Sequence, residues 1–173
     1  PNNLFGWEKN GFIGAGKQLG GWKKNWGDFF VEFRLIPQIN RARKLQISLG
    51  EWDSLLISIK NMLNAHNPVP SIVHGDLWSG NIGVNKKGQG VLIDAASYWG
   101  DREVDIAMTR LFGGFSNEFY SNYNSTWQLL DSANDRVEVY NLYHLLNHAN
   151  IFGGHYINSS ISSMIKLKNL FNN

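Results

Sequence analysis

No cysteine occurs among the 173 residues, which excludes a disulfide scaffold, a thiolate metal site and a cysteine nucleophile. No apolar run approaches the roughly 18 residues that a membrane-spanning helix needs, and residues 1–10 lack the apolar core of a secretory signal. Charge is scarce too. Charged residues make up 17% of the chain, and 16 Lys+Arg against 14 Asp+Glu leave a net charge of +2. That balance gives no footing for nucleic acid or an anionic membrane surface, and cytoplasm is the expected compartment. With 43% hydrophobic residues, the length suits one domain whose core seals about two-thirds of the unfolded surface. The triplets Asn124-Ser125-Thr126 and Asn158-Ser159-Ser160 are read as chance in a chain rich in asparagine.

Residues 1–25 hold six of the 18 glycines, together with Trp7 and Trp22, and show no period. They are expected to form an ordered loop or a flexible arm. From Trp26 a helical pattern begins, with Phe29, Phe30, Phe33, Ile36 and Ile39 at three- and four-residue steps, and Pro37 predicts a kink. A second helix is predicted over Glu51 to Ala65, followed by an extended link through Pro68 and Pro70. Ile82-Gly83-Val84 and Val91-Leu92-Ile93, separated by Asn85-Lys86-Lys87-Gly88, predict a small β-hairpin. Beyond Asp101 the chain reads as helical: a short helix around Val104 to Leu111, then Glu118 to Leu130, Asp135 to Asn150 and about Tyr156 to Leu170. The sum is a mainly α domain with one small β-hairpin.

The segment Gly11-Phe12-Ile13-Gly14-Ala15-Gly16-Lys17-Gln18 matches the phosphate-loop pattern G-x-x-x-x-G-K but not its last position. Gln18 offers no hydroxyl for a metal, and neither a strand before nor a helix after is predicted, so a phosphate loop is rejected. The informative segment is His74-Gly75-Asp76-Leu77-Trp78-Ser79-Gly80-Asn81, with Asp94 closing the hairpin. An aspartate, an asparagine five residues on and a second aspartate form a set suited to phosphoryl transfer. One carboxylate orients an attacking hydroxyl and accepts its proton, while an amide oxygen and the other carboxylate hold Mg²⁺ against the phosphates of ATP. On this reading Asp76 is the catalytic base, and Asn81 and Asp94 are the metal ligands. The bland alternative is a turn with glycines at tight bends, His74 serving only as a hydrogen-bonding residue and Trp78 as core.

The stretch HGDLWSGN resembles the signature of the fructosamine kinase (ketosamine kinase) family. Residues 92–114 (LIDAASYWGDREVDIAMTRLFGG), 141–156 (NLYHLLNHANIFGGHY) and 22–42 (WKKNWGDFFVEFRLIPQINRA) resemble it as well. The resemblance implies the C-terminal lobe of the protein-kinase-like and aminoglycoside-phosphotransferase-like fold. It implies transfer of the terminal phosphoryl group of ATP to the 3-hydroxyl of a sugar ketoamine on a small amine or a protein lysine. It divides the chain into a substrate-side segment, 1–25, and a helical lobe, 26–173, with a catalytic loop at 74–81 and the hairpin at 82–94. Asp76 then matches the catalytic aspartate, Asn81 and Asp94 the metal pair, and Asp105 a buried brace, with His74 and Arg102 as further supports. Trp78, Trp99, Trp7 and Asn10 are candidates for the substrate wall. Relatives commonly carry proline where Ala95 stands, a change in backbone stiffness that removes no catalytic atom.

That family's N-terminal lobe has no counterpart here, and most nucleotide contacts are expected on it. The chain is accordingly expected to be a C-terminal fragment with negligible transfer activity by itself. Two other readings stay open: a kinase of the same fold acting on an aminoglycoside or a choline-like alcohol, and a non-catalytic binding module.

Overall fold

A computed structural model describes residues 3–172. Its elements in chain order are β1 (Phe5–Trp7), β2 (Gly11–Ile13), β3 (Gly16–Gln18), β4 (Gly21–Lys23), α1 (Trp26–Phe30), a π turn (Val31–Leu35), α2 (Ile36–Lys44) and α3 (Asp53–His66). Then follow β5 (Ser71–Val73), a 3₁₀ turn (Ser79–Asn81), β6 (Ile82–Val84), β7 (Gly90–Leu92), β8 (Tyr98–Gly100), α4 (Glu103–Leu111), α5 (Asn117–Thr126), α6 (Ala133–Phe152) and α7 (His155–Asn172).

The mainly helical expectation holds, but residues 3–25 are not a loop or an arm, while residues 1 and 2 lie outside the described residues. β1 pairs antiparallel with β4 and with β8, and β8 pairs with β5, giving a four-stranded sheet in the order β4-β1-β8-β5. β2 and β3 form a hairpin of their own with Phe12 opposite Lys17. The phosphate-loop-like segment is thus a strand, a turn and a strand, and Lys17 opens no helix. Strands of three residues allow barely one inward–outward alternation, so no period marks them in the sequence.

As expected, the chain is not divided into two unrelated helices at Pro37. α1 and α2 run on through the π turn, and Pro37 occupies the first turn of α2, where its missing N–H costs little. The hairpin β6–β7 forms as expected, its turn closed by Asn85 Oδ1, which accepts from the N–H groups of Lys87 and Gln89. α5 ends at Thr126, four residues earlier than its pattern suggests.

One core joins sheet and helices. Trp26, 1% exposed, packs its ring against Phe5, Phe29, Phe30, Tyr98 and Tyr140. α6 lies deepest, with Val139, Tyr140, Leu142, Tyr143 and Leu146 sealed from solvent. Buried polar groups tie the helices at one end: Arg136 of α6 clamps Glu103 of α4 at 2.7 and 2.8 Å, and His66 at the end of α3 meets Asp101 at 3.0 Å. The ligand-type atoms of His66, Asp101 and Glu103 lie within 4.8 Å of one another. Arg136 and Tyr140 already occupy the two acids, so the group is a brace and not a metal centre. Among the described residues no helix is long and apolar enough to cross a membrane.

Candidate active site

The loop that leaves β5 is fixed from below by one carboxylate. Asp105, in the first turn of α4, accepts the N–H of His74 at 2.7 Å and of Gly75 at 2.9 Å, one on each oxygen. Burial raises the Asp105 pKa, and these two donors work against that rise. Gly75 has φ +81°, and a Cβ there would run into the carbonyl of Ala96, so the bend requires glycine. His74 Nδ1 accepts from Asp76 N–H at 3.3 Å, which leaves Nε2–H to donate to the Ile93 carbonyl at 3.0 Å. His74 therefore staples the loop to the end of the hairpin.

Asp76 sits on that staple with its side chain 16% exposed. The Asn81 amide nitrogen donates to the Asp76 carbonyl at 2.9 Å and to Oδ2 at 3.2 Å. The Asn81 carbonyl accepts Ile93 N–H at 3.0 Å, so the returning strand β7 is tied back to the loop and Asp94 follows at once. Asp94 is exposed and left-handed, with φ +56°, a conformation aspartate tolerates better than most residues. The pKa of Asp76 is raised, first by burial; His148, the Asn81 hydrogen bond and His74 oppose the rise, and the charge of Asp94 adds to it. Asp76, Asn81 and Asp94 thus share one patch, close enough for Asp94 to act electrostatically on Asp76. Because the Asn81 nitrogen is committed to Asp76, its amide oxygen faces away from that carboxylate. That oxygen and the Asp94 carboxylate are oxygen donors of the hard type that Mg²⁺ takes.

Two histidines of α6 that pattern reasoning did not single out close the site from behind. His144 is wholly buried, its Nδ1 3.9 Å from Asp76 Oδ1, which is too long for a hydrogen bond. Neither His144 nitrogen nor Asp76 Oδ1 has a partner among the described residues. Burial, then the neighbouring His148 and Arg34 charges, push the His144 pKa down to about 3, so the contact is not an ion pair. His148 donates Nδ1–H to the His144 carbonyl at 2.8 Å and packs 5.0 Å from both Phe112 and Tyr156. A His-x-x-x-His step on an amphipathic helix is the only mark the sequence carries of this pair.

The expected wall residues divide. Trp78, 38% exposed, meets Phe112 edge-on at 6.2 Å and belongs to the His148 side. Trp7 and Asn10 line a separate pocket of about 250 Å³, together with Ala95, Ala96 and Ser97 just beyond Asp94. Trp99 does not join either group: it alternates with inward-facing Tyr98 on β8 and so lies on the other face of the sheet. Arg102 is also placed elsewhere. It donates to the carbonyls of Trp127 and Gln128, both at 2.8 Å, and stacks on Trp127, so it caps the end of α5 and does not support the catalytic loop.

A helical body with small antiparallel sheets, carrying a loop Asp, an Asn five residues on and an Asp after a hairpin, is the protein-kinase-like, aminoglycoside-phosphotransferase-like fold. A solved structure of a candidate fructosamine-3-kinase from Haemophilus somnus superposes with a TM-score of 0.90 at 29% identity, over 96% of this chain and 57% of that one. A second, from Thermobifida fusca, gives 0.80 at 26% identity, over 96% and 59%. A protein named a probable ketoamine kinase in Vibrio parahaemolyticus is 42% identical over 94% of this chain and 56% of its own length. The ketosamine-3-kinase of Mus musculus is 35% identical over 94% and 53%. The fructosamine kinase family model matches residues 1–170, and the chain belongs to that family. It spans about half the length of the curated relatives it matches.

Proposed function

We propose that the protein formed by or containing this chain transfers the terminal phosphoryl group of ATP to the 3-hydroxyl of a sugar ketoamine carried by a small amine or a protein lysine. The observation that carries this reading is the convergence of Asp76, Asn81 and Asp94 on one patch, with Asp76 held by the Asn81 amide. Family membership and the names of the relatives support the substrate class.

In this mechanism Asp76 orients the acceptor hydroxyl and takes its proton on the carboxylate. Its raised pKa makes it a better acceptor than a surface aspartate, and phosphoryl transfer asks more of its position than of its basicity. Asn81 fixes that position through Oδ2, while Asp105 and His74 hold the backbone beneath it. The amide oxygen of Asn81 and the carboxylate of Asp94 would hold Mg²⁺, which when bound neutralises the charge of the transferring phosphates. Trp78 with Phe112 on one side, and the pocket of Trp7 and Asn10 on the other, are assigned to the acceptor.

The test is ketoamine-dependent ADP release by the protein and by its Asp76→Asn variant, which keeps the shape and the amide contact. Turnover is expected to fall by about 10²–10⁴. Unchanged turnover in the variant would remove Asp76 from the chemistry. A panel of ketoamine, aminoglycoside and choline decides the acceptor class, and turnover of either of the latter in preference to the ketoamine would overturn the ketosamine reading.

A further inference from the structure

Arg34, in the π turn, is 1% exposed. Its Nη1 donates to the carbonyls of Leu19 at 2.9 Å and Phe33 at 3.0 Å, and its guanidinium lies 4.0 Å from the Tyr98 ring centre and 4.7 Å from that of Phe29. Nε and Nη2 have no partner, and no carboxylate pairs with Arg34 among the described residues. A buried charge with unused donors is costly, and aromatic faces offset only part of that cost.

Arg34 is also one of the residues that line the 250 Å³ pocket of Trp7 and Asn10. Two cations, Lys9 and Arg34, line this pocket, and no acid does. Lys9 makes no ion pair among the described residues, and its neighbour Asn10 accepts Gly20 N–H on Oδ1 at 2.9 Å. Gln18 is already spent on Tyr143 and on the Ala96 carbonyl, so the donors left to a ligand are Lys9, Asn10 and the Ser97 hydroxyl. The volume falls short of the roughly 300–1,000 Å³ that encloses a whole ligand, so the pocket suits one group of a larger molecule.

We propose that this pocket is an oxyanion subsite, in which Lys9 contacts the anion and the uncompensated charge of Arg34 favours it. Resting on the ketosamine reading above, the anion is a carboxylate borne by the amine half of the substrate, because the pocket wall begins at Ala95, one residue beyond Asp94. The site then favours ketoamines of amino acids over those of uncharged amines, and charge-assisted contacts set the size of the preference.

The experiment titrates the 173-residue chain with acetate, inorganic phosphate, fructosyl-glycine and carboxylate-free fructosyl-methylamine, following the Trp7 indole N–H by NMR and affinity by calorimetry. Saturable shifts with acetate, and fructosyl-glycine bound about 10-fold tighter than fructosyl-methylamine, are expected. Lys9→Gln, a surface change that leaves the core intact, should erase that difference. Arg34→Gln should do so too, with far-UV circular dichroism reporting whether the variant folds. A response to phosphate alone would keep the oxyanion subsite and move its ligand from the acceptor to a phosphate. Equal affinity for the two ketoamines, with no acetate response, overturns the subsite while leaving the ketosamine reading intact. A Lys9-dependent acetate response without binding of either ketoamine keeps the subsite and sinks the ketosamine reading instead.

Discussion

A histidine enclosed on all sides must choose between burial and charge, and His144 gives up the charge. Its pKa falls from the ordinary 6.5 to about 3, first because burial penalises the imidazolium. The unfolded chain therefore binds a proton below 6.5 that the folded chain refuses until about 3. Across that window stability drops as pH drops, and acidification from about pH 7.5 to about pH 5 should cost about 2 kcal/mol through this residue alone. Asp76 and Asp105 act with the opposite sign. Their raised pKa values let the folded chain bind protons first, so they return stability as pH falls through the carboxylate range. Urea unfolding of wild type and of His144→Gln at the two pH values isolates the histidine. The packing loss is common to both conditions, so the variant should show an acid penalty smaller by about 2 kcal/mol. An identical penalty in the two proteins would mean that His144 is not buried neutral.

Among the elements, α4 and α6 are joined by a buried ion pair whose two bonds leave neither charge unsatisfied. The Glu103 and Arg136 side chains are 7% and 5% exposed, and His66 lies 3.6 Å from the same carboxylate. Removing one partner strands the other: Arg136→Met should destabilise by about 3–5 kcal/mol, and adding Glu103→Leu should recover most of that loss. Thermal unfolding of the single and double variants reads this directly, and additive losses would show that the pair does not act as a unit. Elements of this kind differ in how plainly the sequence announces them. α3, α4, α6 and α7 are legible because each keeps an apolar stripe for two turns or more, and β6–β7 because Asn85 to Gly88 mark its turn. β1 and β8 are not legible, since each has three residues and Gly6 pairs with Trp99 far along the chain, beyond the intervening helices. Spacing along the chain also suffices to nominate Asp76, Asn81 and Asp94. It misleads at Arg102, which is near Asp105 in sequence but spends its guanidinium on the Trp127 and Gln128 carbonyls. It is silent on Arg34 and His144, polar residues set within otherwise apolar helical faces.

For the molecule as a whole, the question is whether sheet and helices stand or fall together, and Trp26 decides it. Its ring touches Phe5 of β1 and Tyr98 of β8 on the sheet side, Phe29 and Phe30 within α1, and Tyr140 of α6. Its Nε1 donates to the Tyr140 hydroxyl at 3.0 Å, and that hydroxyl donates to Asp101, so the same indole also reaches the brace at the start of α4. The candidate site draws on both halves, taking His74 and Asp76 from the loop after β5 and His144 from α6. If one core serves both, loosening it at Trp26 must weaken every element at once. Trp26→Ala should cost about 3–5 kcal/mol, from lost burial and an incompletely filled cavity, and Trp26→Phe should cost less because most of the ring volume remains. In Trp26→Phe the far-UV signal of the helices and the near-UV signal of the packed rings should shift to a lower urea midpoint together, with an unchanged slope. A near-UV transition that precedes the far-UV one would show that the sheet detaches while the helical body survives. The loop bearing Asp76 would then rest on a separable unit, whose own stability would govern how long the site stays assembled.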